Sequence, residues 1–183
     1  MSEQQKKGAI KTSFTVKKHE SWRRFSLKAA ITLSILFIAG TSFASRYRIG
    51  YDPQILSCIP EFSVYLLDLK DQDLERGALF AFKAERMEPI WEEGTQMVKY
   101  LYGMPGDTVE IDKFQNVKIN NVLIAHGLYV ADKIGKKKED FMGKGTLGPD
   151  SYWFFGTSSK SFDSRYWGHV NSDQVIGRVY PIF

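Results

Sequence analysis

One cysteine, Cys58, stands among 183 residues. That excludes an internal disulfide and any metal site built from several cysteines. Histidine is almost as scarce. His19, His126 and His169 are scattered along the chain and make no ligand set, so the sequence implies no metal and no other cofactor. An acidic or basic excess is missing from most of the chain as well. The formal net charge of +4 is concentrated at one end: residues 1–28 hold eight Lys/Arg against Glu3 and Glu20, and the rest hold seventeen against nineteen Asp/Glu. The basic balance belongs to a tail, which argues against a nucleic-acid-binding face. The composition is not that of a disordered chain, with 14% aromatic and 25% charged residues.

What is present begins with one long apolar run. From Phe25 to Ala44 the only charge is Lys28. Twenty helical residues cover about 30 Å, the depth of a bilayer core, and Lys28 sits near enough to one end to reach the interface. The chain therefore reads as a basic cytoplasmic tail (1–24), a transmembrane anchor (25–45) and an outer domain (46–183). The direction follows from charge, since basic residues crowd before the run and only Arg46 and Arg48 closely follow it. Ser42-Phe43-Ala44 also has the small-x-small ending of a cleavable signal sequence, although the basic region is long for one.

Beyond the run the period changes to that of strands. Residues 77–84, 97–102, 109–112, 117–120, 122–124, 152–155 and 175–182 read as short strands with Gly/Pro punctuation, and Asn120-Asn121 as a tight hairpin turn. The expected class is mainly β, a barrel-like antiparallel catalytic domain behind one N-terminal helix. Residues 132–148, with Lys136-Lys137-Lys138 and four glycines, read as a solvated loop.

Three stretches carry chemistry. Ser57-Cys58-Ile59-Pro60 offers a hydroxyl held beside a proline. Lys99 opens Lys99-Tyr100-Leu101-Tyr102-Gly103-Met104-Pro105-Gly106-Asp107, where Pro-Gly fixes a turn. The third runs from Gly156 to Gly168 and holds Ser161, Asp163 and Arg165. A serine needs a base to become a nucleophile, and a lysine serves only when neutral; burial favours that form by disfavouring the ammonium.

In this order behind one anchor, the stretches resemble the type I signal peptidases, the serine/lysine leader peptidase family, over roughly residues 51–183. The resemblance implies that Ser57 is the nucleophile and Lys99 the general base. It implies that Ser161 orients the lysine amine, and that Asp163 and Arg165 form an ion pair fixing their loop against the sheet. It implies a membrane-associated β domain whose partners are membrane lipid and exported precursors with small-x-small cleavage sites. The compact third motif and short chain look most like the conjugative-transfer branch, which matures pilin precursors. The location implied is the inner membrane, single-pass, with the catalytic domain in the periplasm.

The motifs also depart from the family. Cys58 stands for the usual methionine and Tyr100 for an arginine. Ile55 cannot donate the side-chain hydrogen bond that many relatives direct at the oxyanion. Thr157-Ser158 stands for Asp-Asn, and the spacing to Ser161 is one residue short. Two other readings stay open: a housekeeping signal peptidase with many clients, and a catalytically silent periplasmic scaffold of a secretion or conjugation apparatus.

Overall fold

The structure, a computed structural model, describes residues 21–52, 58–88 and 90–183. The chain divides into two compact units after Ser42. In the first lies most of helix α1 (Trp22–Arg46), 25 residues with none buried. Alanine, leucine and isoleucine dominate it, proline is absent, and Thr41 folds its hydroxyl back onto the Phe37 and Ile38 carbonyls at 3.0 Å each. At 1.5 Å per residue it is about 37 Å long, enough to cross a membrane. By length and composition it is such a helix.

The second unit, Phe43–Phe183, is antiparallel β. Its strands are β1 (Tyr47–Tyr51), β2 (Val64–Asp68), β3 (Leu79–Lys83), β4 (Gln96–Gly103), β5 (Thr108–Ile111), β6 (Asn116–Ile119), β7 (Val122–His126), β8 (Gly143–Thr146), β9 (Trp153–Phe155) and β10 (Val175–Pro181). A four-residue helix, α2 (Ser164–Trp167), follows β9. Six strands form one sheet in the order β1-β2-β10-β3-β4-β9, and four form a second in the order β7-β6-β5-β8. The class is the mainly antiparallel one expected. The strands lie in two open sheets and do not close into a single barrel.

Burial explains the pairing. Strand β3 is buried along both faces, with Phe80, Ala81 and Phe82 at 0% exposure, and it occupies the middle of the large sheet. Strand β4 alternates, with Met97, Lys99, Leu101 and Gly103 buried and the residues between them half-buried. Phe80, Phe82, Met97, Leu101 and Phe154 pack into one core cluster, and Leu67, Leu79, Ala81 and Val179 into another. Ile111, Val117, Leu128 and Phe155 form a third under the small sheet.

Two turns follow local chemistry. Asn120 and Asn121 both take positive φ, 50° and 66°, as a two-residue hairpin between β6 and β7 requires. Gly106 takes φ 87° in the turn from β4 to β5.

One sequence expectation needs correction. Residues 132–148 are not a featureless loop: they hold two 3-10 turns (Asp132–Ile134 and Lys138–Phe141) and strand β8. All four β8 residues are exposed and two are glycine, so no apolar alternation marks the strand. Its backbone pairing with β5 makes it a strand.

Candidate active site

Lys99 sits where a core residue belongs. It occupies a buried position of β4 between Met97 and Leu101, pairs across the sheet with Phe80, and is 3% exposed. A strand's two-residue period makes this placement: shifted by one, the lysine would join Val98 and Tyr100 on the other face. Among the described residues it enters no ion pair. It lines a cavity of about 270 Å³ together with Cys58, Ile59, Phe62, Tyr65, Trp91 and Gln96. Burial pushes the Tyr65 hydroxyl above its ordinary range, the Asp52 carboxylate adds to this, and a hydrogen bond with Gln96 works against it.

Ser57 and Ile55 lie outside the described residues. The segment that follows Ser57 is held firmly. The Cys58 carbonyl accepts a hydrogen bond from the Ser158 N–H at 3.1 Å, and the Thr157 hydroxyl donates to Glu61 at 2.8 Å. The third motif is thus tied to the first, a contact across about a hundred residues that neither motif announces. Thr157, a departure from the family pattern, makes one of the two ties.

Gly156 explains the closeness of this region. The Tyr100–Phe155 pair belongs to the β4–β9 ladder, and Gly156 comes next, toward Lys99 on the antiparallel register. A Cβ at Gly156 would lie 2.2 Å from the Ser161 Oγ and 2.7 Å from the Cys58 carbonyl oxygen. Only a residue without a side chain permits that approach. The Ser161 hydroxyl is fully buried and has no hydrogen-bond partner among the described residues, so the bond to the lysine amine expected from the resemblance is not among those observed.

Asp163 and Arg165 form a buried two-point ion pair. Arg165 Nε donates to Asp163 Oδ1 and Nη2 to Oδ2, each at 2.8 Å, with exposures of 3% and 0% for arginine and aspartate. The remaining valences are used. Asp163 accepts from the Gly156 N–H at 3.2 Å and caps α2 through the Arg165 N–H. Arg165 donates to the carbonyls of Gly127 and Ser161 and lies over the Phe155 ring, 4.4 Å from its centroid. Burial pulls the guanidinium's pKa down, but Asp163 outweighs it and holds the group above its ordinary value. The pair fastens the Gly156–Ser161 loop to the Gly127 carbonyl, just beyond the end of β7.

Asp107, the last residue of the second motif, holds the turn below Lys99's strand. Its carboxylate accepts from the Met104 N–H at 2.7 Å and from Asn120 Nδ2 at 2.6 Å, and pairs with Arg76 at 2.7 Å. Burial pushes this carboxyl up, but those three bonds outweigh it and keep it below the ordinary aspartate value. Sequence reasoning did not anticipate Arg76 or Asn120 as its partners, because nothing local links residues 76, 107 and 120. Among the described residues no group of three His, Cys, Asp or Glu could hold a metal.

An amine enclosed beside a cavity stands in an antiparallel β unit, in a chain that also carries one helix long and apolar enough to cross a membrane. Residues 22–183 match the family model described as signal peptidase, peptidase S26, and the chain belongs to that family. It is 25% identical over 162 residues to a protein of Synechocystis sp. described as probable signal peptidase I-2, covering 85% of this chain and 71% of the relative. A crystal structure of a signal peptidase I from Enterococcus faecalis V583 is 26% identical, covering 59% of this chain and 97% of that one, with a TM-score of 0.39. Membership carries serine endopeptidase activity of the signal peptidase I type, directed at exported precursors, and with α1 it indicates anchoring in a membrane.

Proposed function

We propose that Ser57 and Lys99 form the catalytic dyad of this peptidase. The observation carrying the proposal is the lysine that is 3% exposed in a cavity it shares with Cys58, the residue covalently bonded to Ser57. In this reading Lys99 Nζ takes the proton of the Ser57 hydroxyl as its oxygen attacks the scissile carbonyl carbon. The tetrahedral intermediate collapses, the C–N bond breaks, and the new lysine ammonium returns that proton to the leaving amine. Water then attacks the acyl ester, giving a proton to Lys99, and the serine leaves reprotonated. Ser161, whose buried hydroxyl lacks a partner among the described residues, serves to orient the lysine amine, and the Asp163–Arg165 pair holds Ser161's loop in place.

The anchor orients the enzyme with residues 1–24 in the cytoplasm and residues 46–183 in the periplasm, at the inner membrane, because the basic residues before α1 resist translocation. The substrates in this reading are pilin or transfer-protein precursors of a conjugation system, a choice supported by the compact Gly156–Gly168 stretch. Confinement to one membrane raises the effective concentration of enzyme and precursor. The test is mass spectrometry of candidate pilin precursor co-expressed with wild type, Ser57→Ala or Lys99→Ala. A shortened product with wild type alone is expected; processing by a folded Lys99→Ala protein would remove the proposed base. Protease added outside spheroplasts should reach residues 46–183 and spare residues 1–24, and the opposite pattern would overturn the orientation.

A further inference from the structure

We propose that the free edge of β8 is a docking site for an extended peptide segment of another protein, one that alternates large apolar residues with acidic ones. This surface takes no part in the dyad chemistry, and the proposal stands whether or not that chemistry is right.

Three observations meet at this edge. First, β8 ends the small sheet, pairing with β5 on one side only. The Leu147 N–H donates to the Asp107 carbonyl at 2.8 Å, which fixes the phase of the ladder. Gly143 and Gly145 therefore bond toward β5, while the N–H and C=O groups of Lys144 and Thr146 point outward. A row of such groups is a template for one more strand.

Second, the sheet's apolar face is interrupted here by missing side chains. Val109 and Ile111 are buried, and their partners across the ladder are Gly145 and Gly143. Nothing lies within 4 Å of where a Cβ would stand at either glycine. The resulting cavity, about 210 Å³, is walled by Val109, Ile111, Phe141, Leu147 and Trp153. An incoming strand would present alternate side chains to this space, and one large apolar side chain would fill it.

Third, the Trp153 indole Nε1 is buried with no hydrogen-bond partner among the described residues. A buried N–H without an acceptor is costly, and Trp153 lines this same cavity, so its indole reports on what enters it.

Charge selects the occupant. Lys144 stands exposed on the opposite face of β8, 3.2 Å from Glu110, while the approach to the strand carries exposed Lys136 and Lys137 beside exposed Glu139 and Asp140, so the selecting charge is that of Lys144. Acidic residues at alternate positions of the guest would meet Lys144 while its apolar residues enter the cavity. A second copy of this chain does not fit. Two antiparallel β8 strands would bring glycines to each other's cavities, leaving both empty.

The test uses the full-length protein in detergent micelles with ¹⁵N-labelled tryptophan. The probe is an acetylated seven-residue peptide alternating glutamate with valine and leucine. It should shift the Trp153 indole resonance, assigned by its loss in Trp153→Phe. Gly145→Val places a β-branched side chain in the cavity without backbone conflict, and should weaken binding about tenfold or more by filling the space the guest needs. Lys144→Glu should weaken the acidic probe and favour its lysine counterpart. Gly145→Val should leave precursor processing at the wild-type rate, which also shows that the variant is folded. Failure of the wild type to bind the probe, unchanged binding by Gly145→Val, or equal binding of the lysine peptide by the wild type would each overturn the proposal.

Discussion

Replacing Lys99 by methionine separates what the lysine does for chemistry from what it does for stability. Methionine keeps the length and the apolar stem, so the packing between Met97 and Leu101 and across from Phe80 is retained. The change removes an amine that is 3% exposed and has no ion-pair partner among the described residues. Burying a polar group without full compensation costs about 1–3 kcal/mol in proteins. Lys99→Met should therefore gain stability of that order, a rise in Tm of about 3–12 °C for a domain of this size. Thermal unfolding followed by circular dichroism measures the gain, and gel-based processing of a precursor measures activity, which should be abolished. The higher Tm would itself show that lost activity is not lost folding. A destabilised Lys99→Met would mean that the amine has a strong partner in the native state. Retained processing would remove Lys99 from the mechanism.

Three further outcomes follow from the geometry. Arg165→Met leaves Asp163 charged and buried, so urea unfolding should show a loss of about 3–5 kcal/mol, and the double variant Asp163→Asn with Arg165→Met should recover part of it. The Asp107 carboxyl titrates lower in the folded protein than in the unfolded chain, so it adds stability above the unfolded value of about 4 and loses it as pH falls through the folded value. Tm measured from pH 6 down to pH 2.5 should fall less steeply in Asp107→Asn than in wild type, and parallel curves would count against the assignment. Gly156→Ala should sharply slow processing while the protein still folds, because its methyl must displace the Ser161 hydroxyl from 2.2 Å and press on the fixed Cys58 carbonyl at 2.7 Å; a wild-type rate would show that this loop does not set the site.

Local chemistry was enough to read several features from the chain itself. An apolar run without proline makes α1, because every backbone group is satisfied within the helix and nothing else needs to be known. Alternation marks β4 and puts Lys99 on the same face as Met97 and Leu101, since a two-residue period is local geometry. Asn120-Asn121 and Pro105-Gly106 set their turns through φ preferences that belong to those residues alone. Strands β1, β2 and β8 escaped this reading. Tyr47–Tyr51 is largely exposed, β2 carries no clean alternation, and β8 is half glycine, so each is fixed by pairing with another strand rather than by its own pattern.

Only the tertiary structure decided what surrounds the lysine. That Thr157 and Ser158 grip Glu61 and Cys58, that Gly156 leaves room for both the Ser161 hydroxyl and the Cys58 carbonyl, and that Arg165 closes its valences on Gly127 are relations between segments far apart in the chain. The sequence could nominate Asp163 and Arg165 as a pair, but not bury them. Residue identity determines which bonds a side chain is able to make; burial determines what those bonds are worth, and burial is a property of the packed whole.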